Sequence, residues 1–141
     1  MTAEQIAHFK IILAEHGQHV TKARLATFKA LISARPQSMR EVLQAVGPAA
    51  DRVSVYRSIE LFERLGIAHR VYTGWKYKLE LSDAFVAHHH HLTCLNCSRV
   101  IDIEDEAHID EFIHELAERF GFTPRRHQFE IEGYCRECTE Q

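Results

Sequence analysis

The sequence contains no apolar run approaching the roughly eighteen residues that a membrane-crossing helix needs, and no positively charged segment followed by an apolar one opens it. No membrane partner is expected, and the cytoplasm is the expected compartment. Cysteine is sparse. The 141 residues hold four, all in two pairs with two residues between, Cys94/Cys97 and Cys135/Cys138. In a reducing compartment such pairs favour metal ligation over a disulfide framework. There are no internal repeats, and no low-complexity tract apart from the consecutive histidines His88 to His91, four of eleven in the chain. A chain of this length makes one ordinary domain, or two small ones if the smaller is stapled by something other than apolar burial.

An excess of basic charge is missing too. The formal net charge is −3, which taken whole argues against a nucleic-acid partner. Dividing the chain after Asp83 changes that reading. Residues 1–83 carry twelve Lys/Arg against eight Asp/Glu, a net of +4, whereas residues 84–141 carry five against twelve, a net of −7. A basic first half and an acidic, ligand-rich second half suggest a DNA-binding domain at 1–83 and a metal-binding one at 84–141.

In the first half, Ile6, Phe9 and Leu13 recur at helical spacing between Ala3 and His16, and Gly17 supplies a stop. Thr21 can cap a second helix with Leu25, Phe28, Leu31 and Ile32 on one face, ending near Arg35-Pro36. Ser38-Met39-Arg40-Glu41 is a capping box that announces a third, which carries Val42, Leu43 and Val46 and stops at Gly47-Pro48. A fourth, from about Asp51 to Leu65, buries Val55, Ile59 and Phe62 and ends at Gly66. Helices three and four resemble a helix-turn-helix. Ala68–Tyr72 and Trp75–Leu81 then flank Thr73-Gly74, and Trp75, Tyr77, Leu79 and Leu81 alternate with Lys76, Lys78 and Glu80. That alternation predicts a hairpin with one buried face, and helices followed by such a wing make a winged-helix DNA-binding domain.

The segment Ser82–Ala87 reads as a hinge. A short strand around His91–Thr93 follows, then another at Arg99–Ile103. Ile109, Phe112, Ile113, Leu116 and Phe120 mark an amphipathic helix stopped by Gly121, and Phe129 and Ile131 alternate with Gln128, Glu130 and Glu132 in a last strand. The expected fold class is α+β, an N-terminal winged helix plus a small α/β dimerisation domain stapled by zinc. So few elements make a marginal core, so both a metal and a partner subunit are expected to contribute.

Three constellations carry chemistry. Cys94-Leu-Asn-Cys97 and Cys135-Arg-Glu-Cys138 are thiolate pairs of the kind that close a tetrahedral zinc site, with a redox dithiol as the other reading. In extended backbone the histidine run sends His88/His90 and His89/His91 to opposite faces, giving two ligand pairs; a solvated polar stretch or an affinity tag are the alternatives, but tags are terminal and longer. Arg52-Val-Ser-Val-Tyr-Arg57 opens the fourth helix, where a recognition helix enters the major groove. There Arg57 can donate bidentately to guanine and Tyr56 can contact thymine methyls, unless the two are only a surface pair.

In order along the chain, Val20-Thr21-Lys22-Ala23-Arg24, Val53-Ser54-Val55-Tyr56-Arg57-Ser58, His88–His91 joined to Leu92-Thr93-Cys94-Leu-Asn-Cys97, Gly121-Phe122 with His127, and Gly133-Tyr134-Cys135-Arg-Glu-Cys138 resemble the ferric-uptake-regulator family over nearly the whole chain. The resemblance implies a structural zinc site at Cys94, Cys97, Cys135 and Cys138. It implies a second site inside the dimerisation domain at His88, His90, Asp110 and His127, and a hinge site at Glu80, His89 and His91. The DNA contacts implied are Arg24, Arg52, Ser54, Tyr56 and Arg57. Three departures stand out. Ser98 replaces the glycine usual after the second cysteine, the wing carboxylate lies two residues further from the histidines than is common, and the hinge histidine of the DNA-binding domain is replaced near Pro36. The last leaves a ligand position to water or to a side chain such as His69. Glu80 could instead be a solvated partner of Lys76 or Lys78, and Asp110 a surface acid with Glu111 or His108 in its place.

The family-like function is a metal-responsive repressor that grips double-stranded operator DNA as a homodimer, with structural Zn2+ and a regulatory divalent metal. Zinc and ferrous iron are the leading candidates for the latter, with manganese a third; His90 stands where iron-responsive members often carry an acid, and more nitrogen ligands suit zinc, although imidazole also suits iron, nickel and copper. Two readings from other classes are a zinc-dependent hydrolase, which needs an open metal position and a poised base, and a metal storage or delivery protein, which needs no sequence-selective DNA binding.

Overall fold

The structure is a computed structural model that describes residues 2–32, 35–104, 107–125, 127 and 129–139; Gln128 of the expected last strand lies outside them. The chain divides into two compact units, Met1–Ala87 and His88–Gln141.

The first unit is built from four helices and a hairpin. Helix α1 (Ala3–Glu15) starts on a capping box between Thr2 and Gln5, and α2 (Lys22–Leu31) is capped by the Thr21 hydroxyl, which accepts the Arg24 N–H. Helix α2 stops at Leu31, short of the end expected near Arg35-Pro36. The chain must leave the helix early because Gln37 exchanges two backbone hydrogen bonds with Leu79, at 2.8 and 2.6 Å, as an extra rung on the hairpin. Helix α3 (Met39–Val46) has the Ser38/Glu41 box, in which the Glu41 carboxylate accepts both the Ser38 N–H and its hydroxyl. Those bonds hold the Glu41 carboxyl below its ordinary range. A 3-10 turn over Gly47–Ala49 leads to α4 (Arg52–Arg64), capped by Asp51.

Strands β1 (Ala68–Thr73) and β2 (Lys76–Leu81) pair antiparallel with Ala68 opposite Leu81 and Thr73 opposite Lys76. The two-residue turn is therefore Gly74-Trp75, not Thr73-Gly74. Gly74 takes φ 61°, which glycine adopts without penalty. Trp75 consequently falls outside the buried alternation and is 89% exposed, while Leu79 and Leu81 are buried. The core is aromatic at its centre, with the Phe9 ring stacked on Phe28 at 4.2 Å and edge-on to Phe62 at 5.4 Å. Phe85, in the segment read as a hinge, packs its ring on Phe28 and its carbonyl accepts the Gln5 side-chain amide, so that segment is tied to the first unit.

The second unit has a three-stranded sheet in the order β4–β3–β5, from β3 (His89–Cys94), β4 (Val100–Glu104) and β5 (Glu130–Gly133). β3 runs antiparallel to β4 and parallel to β5. Helix α5 (Ala107–Arg119) and the short α6 (Arg136–Thr139) complete it. Among its described apolar residues only Cys94 and Ala117 are buried, and Phe112, Leu116, Phe120, Phe122, Ile131 and Tyr134 are exposed. A unit this thinly packed needs support from outside its own core. Among the described residues of the chain, no helix is long and apolar enough to cross a membrane.

Candidate metal centres and nucleic-acid interface

The cysteine pairs come from two distant knuckles that β3 and β5 bring side by side. Parallel pairing places Cys94 opposite Gly133, and Leu95 N–H reaches the Gly133 carbonyl at 2.8 Å, so the tight turns after both strands meet. All four cysteines are reduced, their sulfurs lie within 4.8 Å of one another, and Cys97 Sγ is 3.7 Å from Cys135 Sγ. Tetrahedral zinc with Zn–S bonds of ~2.3 Å sets its sulfurs about 3.8 Å apart, so the donor set and its spacing both fit zinc. Backbone N–H groups, of Cys135 first and then Cys97, pull the Cys94 thiol down to about 6. Cys138 is pushed up to about 12 by its hydrogen bond to Cys135 and by burial.

The histidine run supplies two separate groups. His88 and His90 lie with ring centroids 4.8 Å apart, and His127, from the loop before β5, stands 4.6 Å from His88 and 5.5 Å from His90. His88 Nε2 and His127 Nε2 are 2.9 Å apart. Asp110, in the first turn of α5, turns a buried Oδ1 that makes no hydrogen bond toward His127 Nε2 at 3.2 Å and His88 Nε2 at 3.8 Å. Ligand atoms of a tetrahedral ion with bonds of ~2.0–2.1 Å lie about 3.3 Å apart, within this spread, so three imidazoles and a carboxylate fit a divalent cation. Burial, followed by the neighbouring His88 and His127, lowers the His90 pKa and favours the neutral ring that can donate a lone pair. The structure brings in Asp110 rather than its neighbours: the side chains of His108 and Glu111 are 90% and 73% exposed and face each other.

His89 and His91 form the other pair, with ring centroids 4.8 Å apart. His91 sits opposite Asp102 on β4, and its Nε2 is 3.7 Å from Asp102 Oδ1. Asp102 is a functional candidate that only the structure reveals; its sequence signal is a lone acid among Val100, Ile101 and Ile103. Glu80 belongs to the first unit, on β2. It is 7% exposed rather than solvated, and its Oε1 is 3.1 Å from His69 Nε2 across the hairpin.

On α4 the side chains of Arg52, Tyr56 and Arg57 are exposed, and the Arg52 guanidinium lies 5.7 Å from the Tyr56 ring centroid. Ser54 is half-buried and its hydroxyl donates to Asp51 at 2.6 Å, so it helps to cap the helix that presents the other three. Arg24 is half-buried, donating to the His19 carbonyl at 2.6 Å and the Gln18 side chain at 3.0 Å, and so braces the loop between α1 and α2.

Comparison with known proteins gives a consistent picture. The profile of the Ferric uptake regulator family matches residues 15–132. The peroxide-responsive repressor PerR of Staphylococcus epidermidis is 28% identical over 137 residues, covering 92% of this chain and 87% of that protein. The ferric uptake regulation protein of Legionella pneumophila is 30% identical, covering 89% and 95%. Among solved structures, the ferric uptake regulator from Pseudomonas aeruginosa with manganese superposes with a TM-score of 0.73 at 27% identity, covering 88% of this chain and 95% of that one.

Proposed function

The chain belongs to the ferric uptake regulator family, and on that premise we propose that it is a metal-responsive transcriptional repressor that binds operator DNA as a homodimer in the cytoplasm. The observation that carries the proposal is the convergence of His88, His90, Asp110 and His127, from three separated segments, in the same chain as a winged helix. The same convergence and the winged helix together favour a regulator over a hydrolase or a storage protein.

Arg52, Tyr56 and Arg57 would read base edges, with Ser54 in the cap of the helix that presents them and Arg24, near the start of α2, as a further DNA contact. Cys94, Cys97, Cys135 and Cys138 would hold a structural zinc that staples the last strand and C-terminal segment to the first knuckle. His88, His90, Asp110 and His127 would hold a second divalent ion within the dimerisation domain. Glu80, with His69 beside it, would supply wing ligands for the hinge site implied by the family, and His89 and His91 the remainder. A bound divalent ion supplies a cross-link between its ligands, and at a hundred times its dissociation constant it stabilises the state it selects by about 2.7 kcal/mol, roughly a hundredfold in DNA affinity. The ligand sets suit zinc or ferrous iron, with manganese a third candidate.

Homodimerisation is supported by the unpartnered apolar side chains of the second unit. A groove lined by Ile113, Leu116, Ala117, Phe120, Phe122 and His127 runs along α5, and Ile101, Leu92 and Ile131 line up across the sheet.

The decisive experiment is DNA binding under metal control. Zinc, ferrous iron, manganese and nickel are titrated against a fragment of the gene's own promoter and against random DNA. Affinity should rise with at least one metal, fall on chelation and favour the promoter. Equal binding to both DNAs, or indifference to every metal, would defeat the proposal; chelator-sensitive hydrolysis of esters, phosphates or peptides would favour the hydrolase.

A further inference from the structure

The two cysteine knuckles are joined by more than their sulfurs. Arg99 follows the first knuckle, and its backbone carbonyl accepts the Cys94 N–H at 2.9 Å, so its position is fixed relative to that thiol. Glu137 lies between Cys135 and Cys138 in the first turn of α6. The Arg99 guanidinium donates twice to the Glu137 carboxylate, Nη1 to Oε1 at 3.0 Å and Nη2 to Oε2 at 2.6 Å. The pair thus spans 38 residues of sequence and connects the two halves of the thiolate cluster.

We propose that Arg99 and Glu137 form a clasp across the two knuckles that slows the loss of zinc from the four-cysteine centre. The inference rests on the four-thiolate zinc reading above. A four-thiolate zinc centre carries a net charge of −2, and the Arg99 cation lies within electrostatic reach of Cys135 and Cys97. Zinc leaves such a centre by stepwise detachment of thiolates, and each detached ligand either returns or swings away. While the ion pair holds, the second knuckle stays beside the first, and a detached thiolate remains at high effective concentration. Escape requires the pair to part as well.

Arg99 and Glu137 are positioning residues, since neither touches the ion. Exposed ion pairs are usually weak, and these side chains are 47% and 68% exposed, but a bidentate guanidinium–carboxylate geometry is the exception that contributes. Removing groups that orient metal ligands typically costs tenfold to a hundredfold in metal affinity.

Zinc release from the full-length, zinc-loaded protein to excess 4-(2-pyridylazo)resorcinol tests the clasp, read on the slowest equivalent per chain. Arg99→Gln and Glu137→Gln should each release that zinc about tenfold faster or more, and Arg99→Lys, which cannot bond in bidentate fashion, should fall between. The exchanged pair Arg99→Glu/Glu137→Arg should recover most of the wild-type rate. Rescue by charge exchange is what a mere packing role would not give. Wild-type release rates in the single variants, or an exchanged pair no slower than the singles, overturn the clasp. Should the neutral variants fail to fold, Arg99→Lys and the exchanged pair carry the same comparison. Cys97→Ser separates the underlying reading: if the wild type holds no slow zinc that this change abolishes, the four-thiolate centre itself is refuted and the clasp with it.

Discussion

His69 and Glu80 face each other across the β1–β2 hairpin, Nε2 to Oε1 at 3.1 Å, in a position where both are largely withdrawn from solvent. The resemblance makes Glu80 a proposed hinge ligand and leaves the family's usual histidine replaced near Pro36, and His69 is an imidazole already aimed at that carboxylate. His69→Ala should therefore shift the metal concentration that half-saturates promoter binding upward by about tenfold or more, about 1.4 kcal/mol, while leaving metal-independent DNA affinity within twofold. Fluorescence anisotropy of a labelled promoter fragment across a zinc series measures both. An unshifted midpoint would make His69 a structural partner of Glu80 and nothing more.

That pairing was beyond reach of the sequence for a definable reason. A turn at Thr73-Gly74 would set His69 opposite Lys78, whereas the turn at Gly74-Trp75 sets it opposite Glu80. The two registers differ by two residues, and a shift of two leaves every side chain on the same face, so the apolar alternation of Tyr77, Leu79 and Leu81 cannot distinguish them. Capping residues were more informative: Thr21, Ser38 and Asp51 begin α2, α3 and α4 because each bonds a specific backbone N–H three residues on. The cysteine pairs and the histidine alternation were legible because their spacing is local. Asp110 and His127 could be paired with His88 only through resemblance, since their meeting depends on where α5 and the loop before β5 return to β3. The apolar stripe of α5 also misleads: Ala117 is buried while Phe112 and, just beyond the helix, Phe120 are 62% and 71% exposed.

Ser98 is the one described residue other than glycine with positive φ, at 58°, and its N–H closes the first knuckle on the Cys94 carbonyl at 2.9 Å. A side chain there costs roughly 1 kcal/mol that glycine avoids. Ser98→Gly should raise the melting temperature of the zinc-loaded protein by a few degrees without changing metal content. Calorimetry on matched, fully loaded samples decides it, and a lower melting point would mean that the Ser98 side chain stabilises the knuckle by more than its backbone strain.

Arg57 is exposed on α4, one residue after Tyr56, with the helix fixed from below by Val55, Ile59 and Phe62. Arg57→Ala should weaken promoter binding by about 1–3 kcal/mol and relax discrimination at one base pair, with metal binding unchanged. Titrating promoter variants against the mutant reveals the base concerned. Equal losses on promoter and random DNA would reduce Arg57 to a phosphate contact.

The two histidine pairs can be removed independently because they belong to different groups: His88 and His90 stand with His127 and Asp110, whereas His91 stands beside Asp102 with His89 next to it. His88→Ala/His90→Ala strips a cluster confined to the second unit and built on α5 and the loop before β5, the same segments that carry the exposed apolar groove. Its main effect should be on self-association, so the dimer dissociation constant should rise about tenfold or more and DNA affinity should fall only at protein concentrations below it. His89→Ala/His91→Ala removes the proposed hinge ligands of β3 and should leave a folded, zinc-stapled dimer whose promoter affinity no longer responds to added metal. Sedimentation velocity gives the first quantity, and promoter titrations at several metal levels give the second. The two variants must differ in kind. If both lose metal response while keeping the wild-type dimer constant, the buried cluster is itself the sensor. A His89/His91 variant that still switches normally would leave Glu80 and His69 with no regulatory partner on β3.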